Sequence, residues 1–386
     1  MEGIKLSIGL DISKPSFCAS IVLLQSDQHL KIVRSRSFSN TLKGIVSYIA
    51  WAKQTQSKYD LAMVHVMEST GVYHELLALT LYKHGEQVHV VLPNKSRKYA
   101  QALGIKTKND KVDAKALGML GAQQVLEVWA PMGDFFYQLR GMTRMYQSYQ
   151  EHISSLNNQK EALEHGMYKQ DHLIKDLTDI INTYKKVCVN IKDQIQAHLS
   201  SDQQVKSKVE GICKLKGVSW LTVAVLLAET NGFLLFKNSR QLVSYSGYDV
   251  VENQSGKHTG RTKISKQGNS RIRRALFMPA FTAVTHEARF KVFYDRILAS
   301  NHIPMKGYVA VQKKLLVIIY SLWKSGQAYD PHYLKSDTTG DNEQVYSSRV
   351  VLEENKIVLP DSSTIQGIQT VEKSQYMYPL GKGKYT

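Results

Sequence analysis

Apolar positions along the chain change their period three times. Over residues 4–125 short apolar runs alternate with amphipathic ones. IKLSIGLDI, CASIVLLQ and, after a polar turn at 26–29, LKIVRSRSF are rich in β-formers with tight connections, which predicts a three-stranded meander. A helix is predicted over 42–53. LAMVHVME reads as a buried strand, VYHELLALTLYKHG as an amphipathic helix ending at Gly85, and QVHVVLP as a strand closed by Pro93. Helices over 94–103 and 111–124 complete the unit.

Residues 134–200 hold two glycines and no proline. Ile153, Leu156, Leu163, Leu173, Leu177, Ile180, Ile181, Tyr184 and Val187 recur at three- and four-residue spacing, which predicts two long helices broken near His165 and Gly166. Two arrangements fit: a coiled-coil arm of the kind used for dimerisation, or an internal bundle. From 208 to 330 the chain reads as mostly helical. KVEGICKLKGVSWLTVAVLLAETNG resembles a helix-hairpin-helix, whose turn offers backbone N–H groups to phosphate, with Ser219 where a second glycine is usual. RIRRALFMPAFTAVTHEA is predicted as one helix, followed by two more to about 325. Beyond 330 the chain turns polar and reads as a tail ordered only in part. The expected division is 1–130, 131–205, 206–330 and 331–386. Three strands, helix, strand, helix, strand, helix is the order of the α/β ribonuclease-H-like (RuvC-like) fold, although other α/β proteins share so coarse a pattern.

Charge narrows the function. Lys and Arg number 50 against 33 Asp and Glu, a formal net charge of +17 in 386 residues. Such an excess suits a polyanionic partner, nucleic acid before membrane. The apolar run at 309–323 carries Gln312, Lys313 and Lys314, so it reads as a core helix rather than a membrane span. Cys18, Cys188 and Cys213 lie far apart, without zinc or disulfide spacing, which fits a reducing cytoplasm. The first residues lack a basic stretch followed by a long apolar run, so no signal peptide is expected.

Four carboxylates fall where chemistry would need them. Asp11 ends the first predicted strand and Glu68 the fourth, and Asp110 and Asp113 share one side of a helix start. In a ribonuclease-H-like sheet those strand ends are neighbours and the last helix crosses them. Clustered carboxylates repel unless a cation intervenes, and an all-oxygen set suits Mg²⁺ or Mn²⁺. Read singly, each is equally a turn or cap residue, and Asp110 fits a helix N-cap. In the stretch ENQSGKHTGRTKISKQGNSRIRRAL, three serines compete. Ser255 lies in the Gly-rich part, Ser265 sits between lysines suited to phosphate, and Ser270 fits a helix cap. Lys257, Arg261, Lys263, Lys266, Arg271, Arg273 and Arg274 there suit nucleic-acid phosphates, as do Lys95, Arg97, Lys98, Lys106 and Lys108 beside the carboxylates. A solvated basic face is the plainer reading of both groups.

LSIGLDISKPSFCASIV, with VMESTGVYHELLALTLYKHGEQVHVVLPNKSRKYAQALGIKTKNDKVDAKALG, resembles the DEDD transposases of bacterial mobile elements, the insertion-sequence one-ten family. FKNSRQLVSYSGYDVVENQSGKHTGRTKISKQGNSRIRRALFMPA resembles that family's C-terminal domain. The likeness spans about residues 4–330. It implies a RuvC-like domain in which Asp11, Glu68, Asp110 and Asp113 bind divalent metal. It implies a serine nucleophile that joins covalently to DNA, matching Ser255 by its place in the Ser-Gly motif. It further implies a structured guide (bridge) RNA in some members, pairing with donor and target DNA. It implies homodimers that pair into a tetramer, with the two domains of one active site coming from different subunits. The run Gly-Lys-His-Thr-Gly after Ser255 departs from the family's small, serine-rich pattern. Three other readings stay open: a RuvC-type nuclease of branched DNA acting by water attack, a site-specific DNA invertase, and a nucleic-acid-binding protein without catalysis. Any of them would act in the cytoplasm, at the nucleoid.

Overall fold

Three consecutive strands, β1 (Gly3–Ile12), β2 (Ser16–Gln25) and β3 (Leu30–Ser39), form the antiparallel meander that the alternation predicts. This is a computed structural model, and it describes residues 2–331 apart from Thr70, Lys108, Asn253, Lys257 and Arg261. Helix α1 (Leu42–Gln56) returns the chain to β4 (Met63–Glu68), which pairs parallel to β1. After α2 (Glu75–Lys83), β5 (Gln87–Val91) pairs parallel to β4. The strand order is β3-β2-β1-β4-β5, so β1 lies at the centre. Element order and topology are those of the ribonuclease-H-like fold.

Over β1, β2 and β4 the sheet is buried on both faces, as their nearly continuous apolar runs require, while the edge strand β3 is largely exposed with only Phe38 buried. Leu6, Ile8 and Leu10 of β1 pack with Phe17, Ile21, Tyr48, Trp51, Leu77 and Leu81, which places α1 and α2 on one face. On the other face α4 (Asp110–Gln123), preceded by α3 (Pro93–Ala102), packs Leu117, Leu120 and Ala122 against Val64, Val66 and Val22. Asn109 caps α4, its side chain accepting from the N–H of Val112, so the cap is one residue before Asp110 and leaves that carboxylate unoccupied by capping.

The two long helices are α5 (Asp134–Glu164) and α6 (Asp171–Ser200). Within this chain the two helices pair with each other over part of their length and join the helical core over the rest. Ile153, Ile181 and Cys188 form a small core between the two helices, while Leu139, Ile191, Ile195 and Leu199 belong to the main core of the helical region. That region contains α7 (Gln203–Cys213) and α8 (Trp220–Thr230), joined through Gly217, and α9 (Ser239–Tyr245). Ser219 N-caps α8, its hydroxyl accepting from the N–H of Thr222, so the residue that departs from the usual hairpin turn has a structural use.

The basic stretch is not an open loop. It forms two short antiparallel ladders, β6 (Val250–Val251) with β9 (Lys263–Ile264) and β7 (Gln254–Ser255) with β8 (His258–Thr259). The helix predicted after it is two helices, α10 (Ser270–Ala275) and α11 (Phe277–His286), broken at Leu276. Pro279 explains the break: it has no N–H for the carbonyl of Ala275, and its ring crowds that carbonyl. Asn269, not Ser270, caps α10. Helices α12 (Ala288–Asn301) and α13 (Pro304–Ser325) complete the region. Among the described residues no helix is long and apolar enough to cross a membrane. The tail expected at 331–386 lies outside the described residues beyond 331.

Candidate active site

Parallel pairing brings the first two carboxylates together. Leu10 stands opposite Met67, so the next residues, Asp11 and Glu68, lie side by side at the carboxyl ends of β1 and β4. Side chains alternate along a strand, so Asp11 shares its face with Ser7 and Gly9, the face that α4 covers.

Glycine at two points sets how closely α4 approaches. A Cβ on Gly9 would stand 1.9 Å from the carbonyl oxygen of Ala114 and 2.2 Å from the nitrogen of Gly118. A Cβ on Gly118 would in turn meet Val22 Cγ2 at 2.7 Å and the nitrogen of Gly9 at 3.2 Å. Backbone therefore lies against backbone where α4 crosses β1, and the acidic start of α4 is carried over the end of β1. Asp11 registers the result. Burial, then the charges of Asp110, Asp113 and Glu68, raise its carboxyl from 3.8 to about 6, against a hydrogen bond from the backbone of Ile12.

Glu68 has a partner of its own. Ser96 of α3 donates its hydroxyl to Glu68 Oε2 at 2.7 Å. Cys18, opposite Asp11 in the β1–β2 ladder, is buried, and burial raises its thiol. The four carboxylates are electrostatic neighbours rather than a closed cage: among the described residues no group of three or more His, Cys, Asp or Glu side chains is gathered tightly enough to hold an ion. Their chemistry nevertheless suits a hard divalent cation. The donors are all oxygen, and a mutual repulsion strong enough to help lift Asp11 to about 6 is what such a cation would relieve.

Ser255 is exposed, at the end of β7 opposite His258. Of its two rivals, Ser265 accepts from the N–H of Gln267 at 3.3 Å in a local turn, and Ser270 begins α10 without capping it. Among the basic residues, Lys95, Arg97 and Lys98 are exposed on α3, the helix that carries Ser96, and Lys106 is exposed beyond it. Arg97 donates to Asn94 Oδ1. Lys263 and Lys266 lie at the surface on the outgoing side of the ladders. The three arginines of α10 are engaged within the chain: Arg271 lies 4.0 Å from Glu229, Arg273 donates to the carbonyl of Ser246 at 2.8 Å, and Arg274 pairs with Glu151. Lys108, Lys257 and Arg261 lie outside the described residues.

Sequence reasoning missed three parts of this arrangement. Gly9 and Gly118 set the helix–strand approach, and their signal is the small-residue spacing of Ala114, Gly118, Gly121 and Ala122 along α4. Ser96 lies between lysines and arginines that drew attention away from it. Glu229 ends an apolar helix and has no local mark at all.

Two family models match. One described as "Transposase" of the DEDD type covers residues 8–168, and "Transposase IS116/IS110/IS902 family" covers 209–295, together more than half of the chain. Pilin gene-inverting proteins of Moraxella lacunata and Moraxella bovis are 26% identical over 330 residues, 84% of this chain and 98% of theirs. An IS110 insertion-element protein of Streptomyces coelicolor is 23% identical over 119 residues, 31% of this chain and 29% of its own length. Thermus thermophilus RuvC covers 32% of this chain and 99% of its own at 10% identity, with a TM-score of 0.25. With one model over the ribonuclease-H-like domain and α5 and the other over the helices that flank Ser255, this chain belongs to the IS110 family of transposases and DNA invertases.

Proposed function

We propose that this chain cuts and exchanges DNA strands through a covalent serine–DNA intermediate at Ser255, assisted by Mg²⁺ or Mn²⁺ held by Asp11, Glu68, Asp110 and Asp113. The single observation that carries the reading is the carboxylate cluster, whose mutual repulsion registers at Asp11. When bound, the cation would neutralise that cluster and polarise a phosphate oxygen. Ser255 Oγ would attack the phosphorus. A new Oγ–P bond forms as one backbone P–O bond breaks, the departing deoxyribose oxygen takes up a proton, and the serine proton passes to a base. Attack by a hydroxyl of the partner strand on the phosphoserine then rejoins DNA and frees the serine.

The surface residues Lys95, Arg97, Lys98, Lys106, Lys263 and Lys266, with Arg271, Arg273 and Arg274, would hold DNA or RNA backbone around these groups, as would Lys108, Lys257 and Arg261. A structured RNA transcribed from the flanking DNA would choose the sites. A pair of homodimers would assemble the tetramer, in the cytoplasm at the nucleoid. A second reading, site-specific inversion rather than transposition, is favoured by the pilin gene-inverting relatives matched along 98% of their length.

The test is to quench a reaction of the protein with Mg²⁺ and a labelled duplex of its gene's flanking DNA, with and without RNA transcribed from that DNA, and to identify the phosphorylated residue by mass spectrometry. An adduct on Ser255, lost in Ser255→Ala, supports the reading. An adduct on tyrosine, or cleavage that persists in Ser255→Ala but not in Asp11→Ala, overturns it in favour of another nucleophile or of water attack.

A further inference from the structure

Glu229 is a deeply buried acidic side chain of the helical region, with 1% of its side chain exposed. It sits near the end of α8, and four residues from three other segments converge on it. Arg144 of α5 holds it with both arms of its guanidinium, Nε to Oε1 at 2.7 Å and Nη2 to Oε2 at 2.8 Å. Asn269 donates its Nδ2 to Oε2 at 2.8 Å. Tyr245 of α9 donates its hydroxyl to the backbone carbonyl of Glu229 at 3.2 Å. Arg271 of α10 brings its Nε to 4.0 Å, and among the described residues that buried nitrogen has no hydrogen-bond partner. Burial would raise the carboxyl, but hydrogen bonds from Arg144 and Asn269 and the charges of Arg144 and Arg271 outweigh it and hold Glu229 below the usual range.

Tyr245 and Asn269 are the two roots of the segment that carries Ser255. They are joined to each other as well: the N–H of Asn269 donates to the carbonyl of Tyr245 at 2.7 Å. Gly268 permits this closeness, since a Cβ there would stand 2.4 Å from that carbonyl oxygen. Further out, the N–H of Lys266 donates to the carbonyl of Gly247, that of Ser265 to the carbonyl of Asp249, and the β6–β9 ladder follows. Bonds thus run from the buried Glu229 carboxylate to the root at Asn269, and from the Glu229 backbone carbonyl to the root at Tyr245, toward the ladders, of which β7–β8 carries Ser255.

We propose that Glu229 is a positioning residue for the Ser255 ladders: through Asn269 and Tyr245 it fixes both roots, and through Arg144 it ties them to the long helix α5. The inference rests on the serine reading given above. Glu229 touches no reacting atom in this scheme; it determines where the serine is held. A carboxylate is needed because one group must accept from Arg144 and from Asn269 while balancing two guanidinium charges, and a neutral side chain would leave those charges unpaired.

Asn269 separates positioning from stability. Its Oδ1 caps α10, accepting from the N–H groups of Arg271 and Ile272, while its Nδ2 makes the tie to Glu229. Asn269→Ser keeps a good cap and removes the tie. The experiment uses the full chain, Mg²⁺, the same labelled duplex and its RNA. It measures the single-turnover rate of covalent adduct formation, the DNA concentration giving half-maximal rate, and the melting temperature. For Asn269→Ser the rate at saturating DNA should fall about tenfold or more, with half-saturation changed less than about threefold. The melting temperature should stay within about 2 °C of wild type. Glu229→Gln should lower the rate at least as far. A wild-type rate in Asn269→Ser, or a rate loss that only follows weaker affinity and a lower melting temperature, overturns the positioning role. If the wild type itself forms no serine adduct, the serine reading fails and this inference with it; a normal wild-type adduct beside an unaffected Asn269→Ser removes the positioning role alone.

Discussion

Replacing Asp11 with asparagine removes the charge that the carboxylate cluster tolerates least. Its carboxyl moves from 3.8 to about 6 on folding, chiefly through burial and then through Asp110, Asp113 and Glu68. In the dry limit such a change corresponds to about 3 kcal/mol, at about 1.4 kcal/mol for each tenfold change in proton affinity. Asp11 is only partly buried, so solvent screening reduces this to about 1 kcal/mol. The sign follows from linkage. A carboxyl raised on folding favours the folded state while protonated, and that contribution is lost as pH rises from about 4 through about 6. Without divalent metal, Asp11→Asn should therefore be more stable than wild type at pH 7.5 by about 1 kcal/mol, and the difference should shrink as pH falls toward 4. Urea unfolding with a chelator present, at a series of pH values, measures it. Adding Mg²⁺ should stabilise wild type more than the variant and narrow or reverse the gap. A variant that is less stable than wild type at pH 7.5 under chelation, or a gap that does not change with pH, would refute the electrostatic account of the cluster.

Three further outcomes follow. Gly9→Ala places a methyl group 1.9 Å from the carbonyl oxygen of Ala114, so α4 must move; urea unfolding should show a loss on the order of 3 kcal/mol, and DNA cleavage should fall with it. Arg144→Met leaves Glu229 buried without its bidentate partner and should cost about 3 kcal/mol in the same assay, near the lower end for buried pairs because Arg144 is itself 41% exposed. Changing Lys95, Arg97 and Lys98 together to alanine should leave the melting temperature nearly unchanged. It should also flatten the dependence of DNA affinity on salt by about 0.9 for each phosphate that these side chains no longer neutralise, read by fluorescence anisotropy across a salt series; an unchanged slope would put the nucleic acid elsewhere.

Much of the ribonuclease-H-like domain is written locally. Each strand carries its β-rich apolar run, and the turns and caps sit within a few residues of their elements, so element order and the strand-end positions of Asp11 and Glu68 follow from neighbouring residues alone. Local signals failed where competing local choices were close in energy. Asn109 outcompeted Asp110 for one cap and Asn269 outcompeted Ser270 for another; the break before Pro279 is different, a strong local signal masked by an apolar pattern that runs straight through it. Ser255 is a different case: the residues alone left three serines open, and only resemblance to the family singled one out. The tertiary structure decided what depends on contact between distant residues. Asp110 and Asp113 reach Asp11 because Gly9 and Gly118 let two backbones touch, and Arg144, Glu229, Asn269 and Arg271 meet from three helices and the residue that caps one of them. Hydrophobic period records which face of an element is buried, but not which other element buries it. For the carboxylate cluster and the Glu229 network, that second fact is the one that counts.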